Sequence, residues 1–139
     1  MKKLSIPRHK LAVACMVMNQ NNQILLVESF TRGWEFPGGY VEKEESLKAA
    51  AIREVKEESG IDIQITGFYG IEQNIRNSTC IIIFEGKVIG GKLTHSEENL
   101  SAGYFSVKKA EKMITNDSFR QRMQRCLHNN DHPFIYIIE

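Results

Sequence analysis

The chain has 139 residues, 42% of them hydrophobic and 25% charged, which suits one domain with a core of ordinary size. Its net charge of +1 provides no global field for a nucleic-acid polymer or a membrane surface, and no apolar stretch is long enough to span a bilayer. Cys15, Cys80 and Cys126 are odd in number and widely spaced, so they read as buried thiols in a reduced, cytoplasmic setting rather than a disulfide framework or a zinc site.

In chain order, a basic tail precedes "LAVACMVM" (11–18), a buried strand followed by "NQNN" rather than by the small residues of a signal cleavage site. "QILLVES" makes a second strand, and the two form a hairpin. The loop "FTRG" leads to "WEFPGGYVE", where Pro37-Gly38-Gly39 reads as a tight turn. Residues 47–59 follow as a helix, with Ser46 at its N-cap and Gly60 at the C′ position. Ile61, Ile63 and Ile65 alternate as in a half-buried strand, and "STCIIIFEGKVIG" is a further, mostly apolar one. A long loop from Gly90-Gly91 through "THSEENLS" precedes the short strand "GYFSV". A C-terminal helix carries Phe119, Met123, Cys126 and Leu127 on one face, and "PFIYIIE" returns as an edge strand. Strands interleaved with helices and hairpins imply a single α/β layered domain on a mixed sheet.

The helix at 47–59 raises the functional question. Its apolar stripe is Leu47, Ala50, Ala51 and Val55, and a step of ~100° per residue sets Glu54 and Glu58 in the middle of that stripe. Glu57 lies on its flank, and six of the 17 acids fall between Glu42 and Glu58. Unpaired buried carboxylates cost on the order of several kcal/mol each. Three arrangements meet that cost: a rotated helix with solvated glutamates helped by Arg53 and Lys56, an ion-pair cluster, or a divalent cation seated between helix and loop. Oxygen ligands select a hard ion such as Mg²⁺ or Mn²⁺, and Gly38 and Gly39 allow backbone to approach an ion or phosphate closely.

From Gly39 through Glu45 to "REVKEESGI" (53–61), the chain meets every defined position of G-x5-E-x7-R-E-U-x-E-E-x-G-U, nine positions over 23 residues. This pattern resembles the Nudix box, and length and flanking strands look like a small, MutT-like member. The resemblance implies an α/β/α sandwich around a mixed sheet, with residues 1–139 one Nudix domain and the box at 39–61. It implies hydrolysis of a nucleoside diphosphate linked to another moiety, dependent on Mg²⁺ or Mn²⁺, by a metal-activated water. Glu54, Glu57 and Glu58, with the carbonyl of Gly38, look like the metal ligands. Arg53 is similar to the box arginine that fixes a glutamate, with Glu57 or Glu45 as its partner. The general base is a box glutamate or a loop acid, for which Glu98 is the candidate; many relatives carry another acid where this chain has Ser101.

Substrate choice lies outside the box. Motifs associated with NADH and coenzyme A hydrolases are missing, and "RNST" (76–79) has neither the proline of many ADP-ribose hydrolases nor the tyrosine of many dinucleoside polyphosphate hydrolases. Nucleoside triphosphates, nucleotide sugars and small diphosphates remain. Arg32 and Arg76 are candidates for an outer phosphate or ribose. Trp34 is the candidate base platform among Phe30, Trp34, Tyr69 and Tyr104, although core packing is the commoner role for each. His128 and His132 read as surface residues near a helix end. The expected partner is a small nucleotide-type diphosphate, and the expected assembly a monomer or homodimer. The alternative to an enzyme is an idle Nudix domain that senses a nucleotide or an ADP-ribose-type ligand.

Overall fold

The computed structural model describes residues 4–94, 96–128 and 132–139. Eight strands form one sheet: β1 (Lys10–Met18), β2 (Ile24–Ser29), β3 (Gly33–Glu35), β4 (Gly38–Tyr40), β5 (Ile61–Asn74), β6 (Thr79–Gly91), β7 (Asn99–Phe105) and β8 (Phe134–Ile138). The described residues also form three helices: α1 (Leu47–Ser59), α2 (Val107–Met113) and α3 (Asp117–Leu127). The main path runs β3-β2-β1-β6-β5-β8, with β4 on β1 and β7 on β2. The β1–β6 and β5–β8 pairs are parallel and the others antiparallel, so the sheet is mixed.

Strand alternation builds a core on each face. Val13, Cys15 and Val17 of β1 turn toward α1 with Ala50, Ala51 and Val55, while Ala14 and Met16 turn toward α2 and α3 with Ala110, Ile114, Met123 and Cys126. The result is an α/β/α sandwich. β1 divides one of its edges between two partners. Met18 pairs with Ile24 of β2, whereas Ala12, Val13 and Ala14 pair with Tyr40, Gly39 and Gly38 of β4.

Gly38 and Gly39 form a short strand rather than the tight turn expected at Pro37-Gly38-Gly39. A Cβ on Gly38 would come within 2.2 Å of the Val13 carbonyl oxygen, so the close approach of β4 to β1 requires glycine there. Gly90 and Gly91 likewise belong to β6, leaving a shorter loop before β7. The C-terminal helical region is two helices, each capped by its own side chain: Ser106 Oγ accepts from Lys109 N at 3.2 Å, and Asn116 Oδ1 from Phe119 N at 3.2 Å. Cys15 and Cys126 are buried as expected, but Cys80 is only half-buried. α3 ends at Leu127, with His128 as its C-cap, while Asn129, Asn130 and Asp131 lie outside the described residues. His132 is half-buried rather than a surface residue, its Nε2 2.9 Å from the Arg125 carbonyl oxygen.

Candidate active site

α1 begins and ends where its caps dictate. Ser46 Oγ accepts the Ala49 N–H at 3.1 Å, and Gly60, at φ +78°, returns its N–H to the Lys56 carbonyl. That register fixes the carboxylates. Glu58 is buried, 9% exposed, and its Oε1 accepts the Gly38 N–H at 3.1 Å. Glu54 lies within hydrogen-bonding reach of Glu58, and its carboxylate occupies the place where a Gly39 side chain would begin, 2.6 Å from an added Cβ. Glu57 points outward.

Arg53 is the hub of the cluster. Nε and Nη2 hold the Glu45 carboxylate at 2.7 and 2.9 Å, Nη1 reaches Glu54 at 2.8 Å and Glu57 at 3.2 Å, and Nη2 also donates to the Tyr40 carbonyl at 3.1 Å. These contacts use all five N–H donors of a guanidinium. Glu45 is the bidentate partner, and Glu57 has the weaker contact of the two partners that the sequence suggested. Lys56 pairs instead with Asp62 at 3.0 Å. A rotated helix with solvated glutamates therefore fails for Glu58, and ion pairing accounts for Glu54 and Glu57 but, among the described residues, gives Glu58 no salt bridge.

The electrostatics follow from that geometry. Burial pushes the Glu58 carboxyl up to about 8, with the adjoining Glu54 and Glu35 carboxylates adding to it and the Gly38 N–H opposing it. Burial also raises Glu54, against the pull of Arg53. Arg53 has the reverse effect on Glu45, drawing it down to about 2. Among the described residues, no three acidic, histidine or cysteine side chains form a ready-made ion cluster. The paired carboxylates nonetheless suit a hard cation, which would replace the proton they compete to share.

A cleft of about 360 Å³ opens over Glu54, Glu58 and Gly38. Arg32, Glu35, Glu98 and Asn99 also line it. Glu98 is exposed at the cleft, on a loop tied down by the buried Asn99. Asn99 Oδ1 accepts from Ser96 N at 3.1 Å and Ser96 Oγ at 2.6 Å, and Ser96 Oγ accepts the Glu98 N–H at 3.1 Å. Trp34 and Arg76 are not among the residues lining the cleft. Trp34 packs with the α2–α3 core, edge-on to Phe105 at 5.2 Å, and Arg76 is exposed in the turn between β5 and β6. Sequence reasoning missed Glu35, Asn99 and Ser29; the run "WEFPGG" placed Glu35 close to the box, but nothing local showed which way it would face.

A family model described as NUDIX domain matches residues 8–126. The chain belongs to the Nudix family. It is 29% identical over 103 residues to a MutT-like protein of Streptomyces ambofaciens, covering 73% of this chain and 67% of that one. It is 27% identical over 121 residues to an ADP-ribose pyrophosphatase of Methanocaldococcus jannaschii, covering 81% and 72%. The fold matches that of a NUDIX hydrolase from Nitrosomonas europaea with a TM-score of 0.81 at 20% identity, covering 98% of this chain and 82% of that one. The chain is thus a MutT-like Nudix pyrophosphohydrolase by family.

Proposed function

We propose that the chain hydrolyses the pyrophosphate bond of a nucleoside diphosphate linked to another moiety, a nucleoside triphosphate or a nucleotide sugar, with Mg²⁺ or Mn²⁺ at Glu54 and Glu58. The observation that carries this reading is the buried Glu54–Glu58 pair beside the side-chain-free Gly38-Gly39 strand, inside a cleft. The family as a whole, the name of the archaeal relative and the chemistry of the oxygen donors support it. A bound cation supplies positive charge to the pyrophosphate oxygens as phosphorus is attacked.

Each residue then has a task. Arg53 keeps the Glu54 carboxylate turned inward and is itself held by ionised Glu45, so it positions and does not touch substrate. Gly38 donates its N–H to Glu58; because the N–H and C=O of one strand residue face the same edge, its carbonyl also turns away from β1 as a further oxygen ligand. Glu57, half-exposed and held on Arg53 at 3.2 Å, is the remaining box carboxylate and lies outside the cleft lining. Glu98 accepts the proton of the attacking water. The water oxygen bonds to phosphorus, the bridging P–O bond breaks and the leaving phosphate takes its electron pair, without a covalent enzyme intermediate. The free thiols of Cys15, Cys80 and Cys126 fit a reduced, cytoplasmic setting.

The test is product release from nucleoside triphosphates, nucleotide sugars, ADP-ribose and dinucleoside polyphosphates, each with Mg²⁺, Mn²⁺ or EDTA. Metal-dependent turnover is expected for at least one compound and is expected to be lost in Glu58→Gln. Tight nucleotide binding without product across the panel would contradict the reading and make the domain a sensor.

A further inference from the structure

Among the described residues, the cleft is lined by five carboxylates, Glu35, Glu42, Glu54, Glu58 and Glu98, and by one cationic side chain, Arg32. Glu35 grips that arginine: Nε donates to Oε2 at 3.0 Å and Nη2 to Oε1 at 2.8 Å. The arginine side chain is 55% exposed and the carboxylate 12%, so a largely covered carboxylate holds an exposed guanidinium by two bonds, although Glu35 adds to the repulsion at Glu58. The backbone beneath is also fixed. Buried Ser29 Oγ accepts the N–H groups of Thr31 at 3.1 Å and Arg32 at 2.9 Å, and Gly33 closes the β2–β3 turn at φ +81°.

The free edge of the guanidinium decides what this pair can do. Glu35 occupies the Nε–Nη2 edge and leaves the Nη1–Nη2 edge intact, a planar fork that matches two oxygens of one phosphate. Resting on the pyrophosphohydrolase reading above, we propose that Arg32 is the seat for a substrate phosphate beyond those at the carboxylate pair, that Glu35 is the positioning residue aiming it, and that the preferred substrate class is nucleoside triphosphate. A nucleotide sugar presents a neutral ring where a triphosphate presents a third phosphate, so only the triphosphate uses the fork fully.

Steady-state kinetics on Arg32→Ala, Glu35→Gln and the double variant test this, with a nucleoside triphosphate and a nucleotide sugar compared at saturating Mg²⁺. Loss of a charge-assisted bidentate contact is expected to raise KM for the triphosphate about tenfold or more in Arg32→Ala. KM for the nucleotide sugar is expected to change far less, and kcat little for either. Glu35→Gln is expected to give a smaller rise of the same kind, and no triphosphate-selective rise once Arg32 is alanine, because its hold on that phosphate runs through the arginine. Relief of the repulsion at Glu58, by contrast, acts on both substrates alike. Equal effects of Arg32→Ala on both substrates, or a full triphosphate-selective Glu35→Gln effect in the Arg32→Ala background, would overturn the proposal. Calorimetric binding of inorganic tripolyphosphate with Mg²⁺ separates the two readings. Should the wild type turn over neither substrate nor any other compound of the panel above, the hydrolase reading fails, while tripolyphosphate bound by wild type and lost in Arg32→Ala still supports the fork. Equal binding by both sinks it.

Discussion

Glu54 and Gly39 occupy one volume between them: the carboxylate stands where a methyl group would be. Gly39→Ala brings a Cβ to within 2.6 Å of it, and the far end of a flexible side chain gives way before backbone does. Displacing a reacting-site group by an ångström costs on the order of 100-fold in rate. Gly39→Ala is therefore expected to lose about that much kcat/KM while its urea midpoint moves little, which parallel kinetics and denaturation check. Glu58 makes the pH dependence specific. Its folded value lies near 8, above its ordinary 4.5, so the folded state holds a proton that the unfolded chain has released. Stability of the metal-free protein is then expected to fall as pH rises from about 4.5 to about 8, with Glu45 acting oppositely only in more acidic solution. Thermal melts across that range, with and without Mg²⁺, read the effect; Glu58→Gln or added Mg²⁺ is expected to flatten it.

Helix α1 was legible to the residue, 47–59 with both caps, because its signals are local: a serine, a 3.6-residue period and a glycine. Strand β4 was not, because its partner β1 lies more than 20 residues away and "PGG" by itself reads as a turn. The carboxylate pair could be placed from periodicity, but its arginine could not be assigned a single partner, since Glu45 comes close only once the loop folds back. Long-range pairing also hid Glu72 of β5. It is 1% exposed and takes two bonds of 2.9 Å from Arg122 and one of 2.8 Å from Arg125, both on α3. These partners are 50 and 53 residues away, and no sequence pattern linked them. Removing one member of a buried ion pair costs roughly 3–5 kcal/mol, because the remaining charges keep their desolvation penalty. Glu72→Ala is expected to destabilise by about that amount in urea titrations, with kcat per folded molecule nearly retained.

At the scale of the molecule, the sandwich separates these two networks. The α1 face carries the cleft, and the opposite face, where α2 and α3 pack, carries the buried ion triad that fastens α3 to the sheet. Expectations drawn from the family's fold held at this level, and of the residues offered for substrate, Arg32 lines the cleft while Trp34 and Arg76 do not. A side chain's direction near the box depends on strand pairing that no local pattern reveals. One consequence is that folding and catalysis can be perturbed independently, Glu72 from one side and Gly39 from the other. The most direct experiment is titration of Mn²⁺, followed by water-proton relaxation, into wild type, Glu58→Gln, Gly39→Ala and Glu72→Ala, with hydrolysis measured on the same samples. Mn²⁺ affinity and turnover are expected to fall together in Glu58→Gln and Gly39→Ala and to persist in Glu72→Ala. Unchanged Mn²⁺ binding in Glu58→Gln, or turnover that survives both cleft substitutions, would contradict the assignment of the inward-facing glutamates as the catalytic metal site.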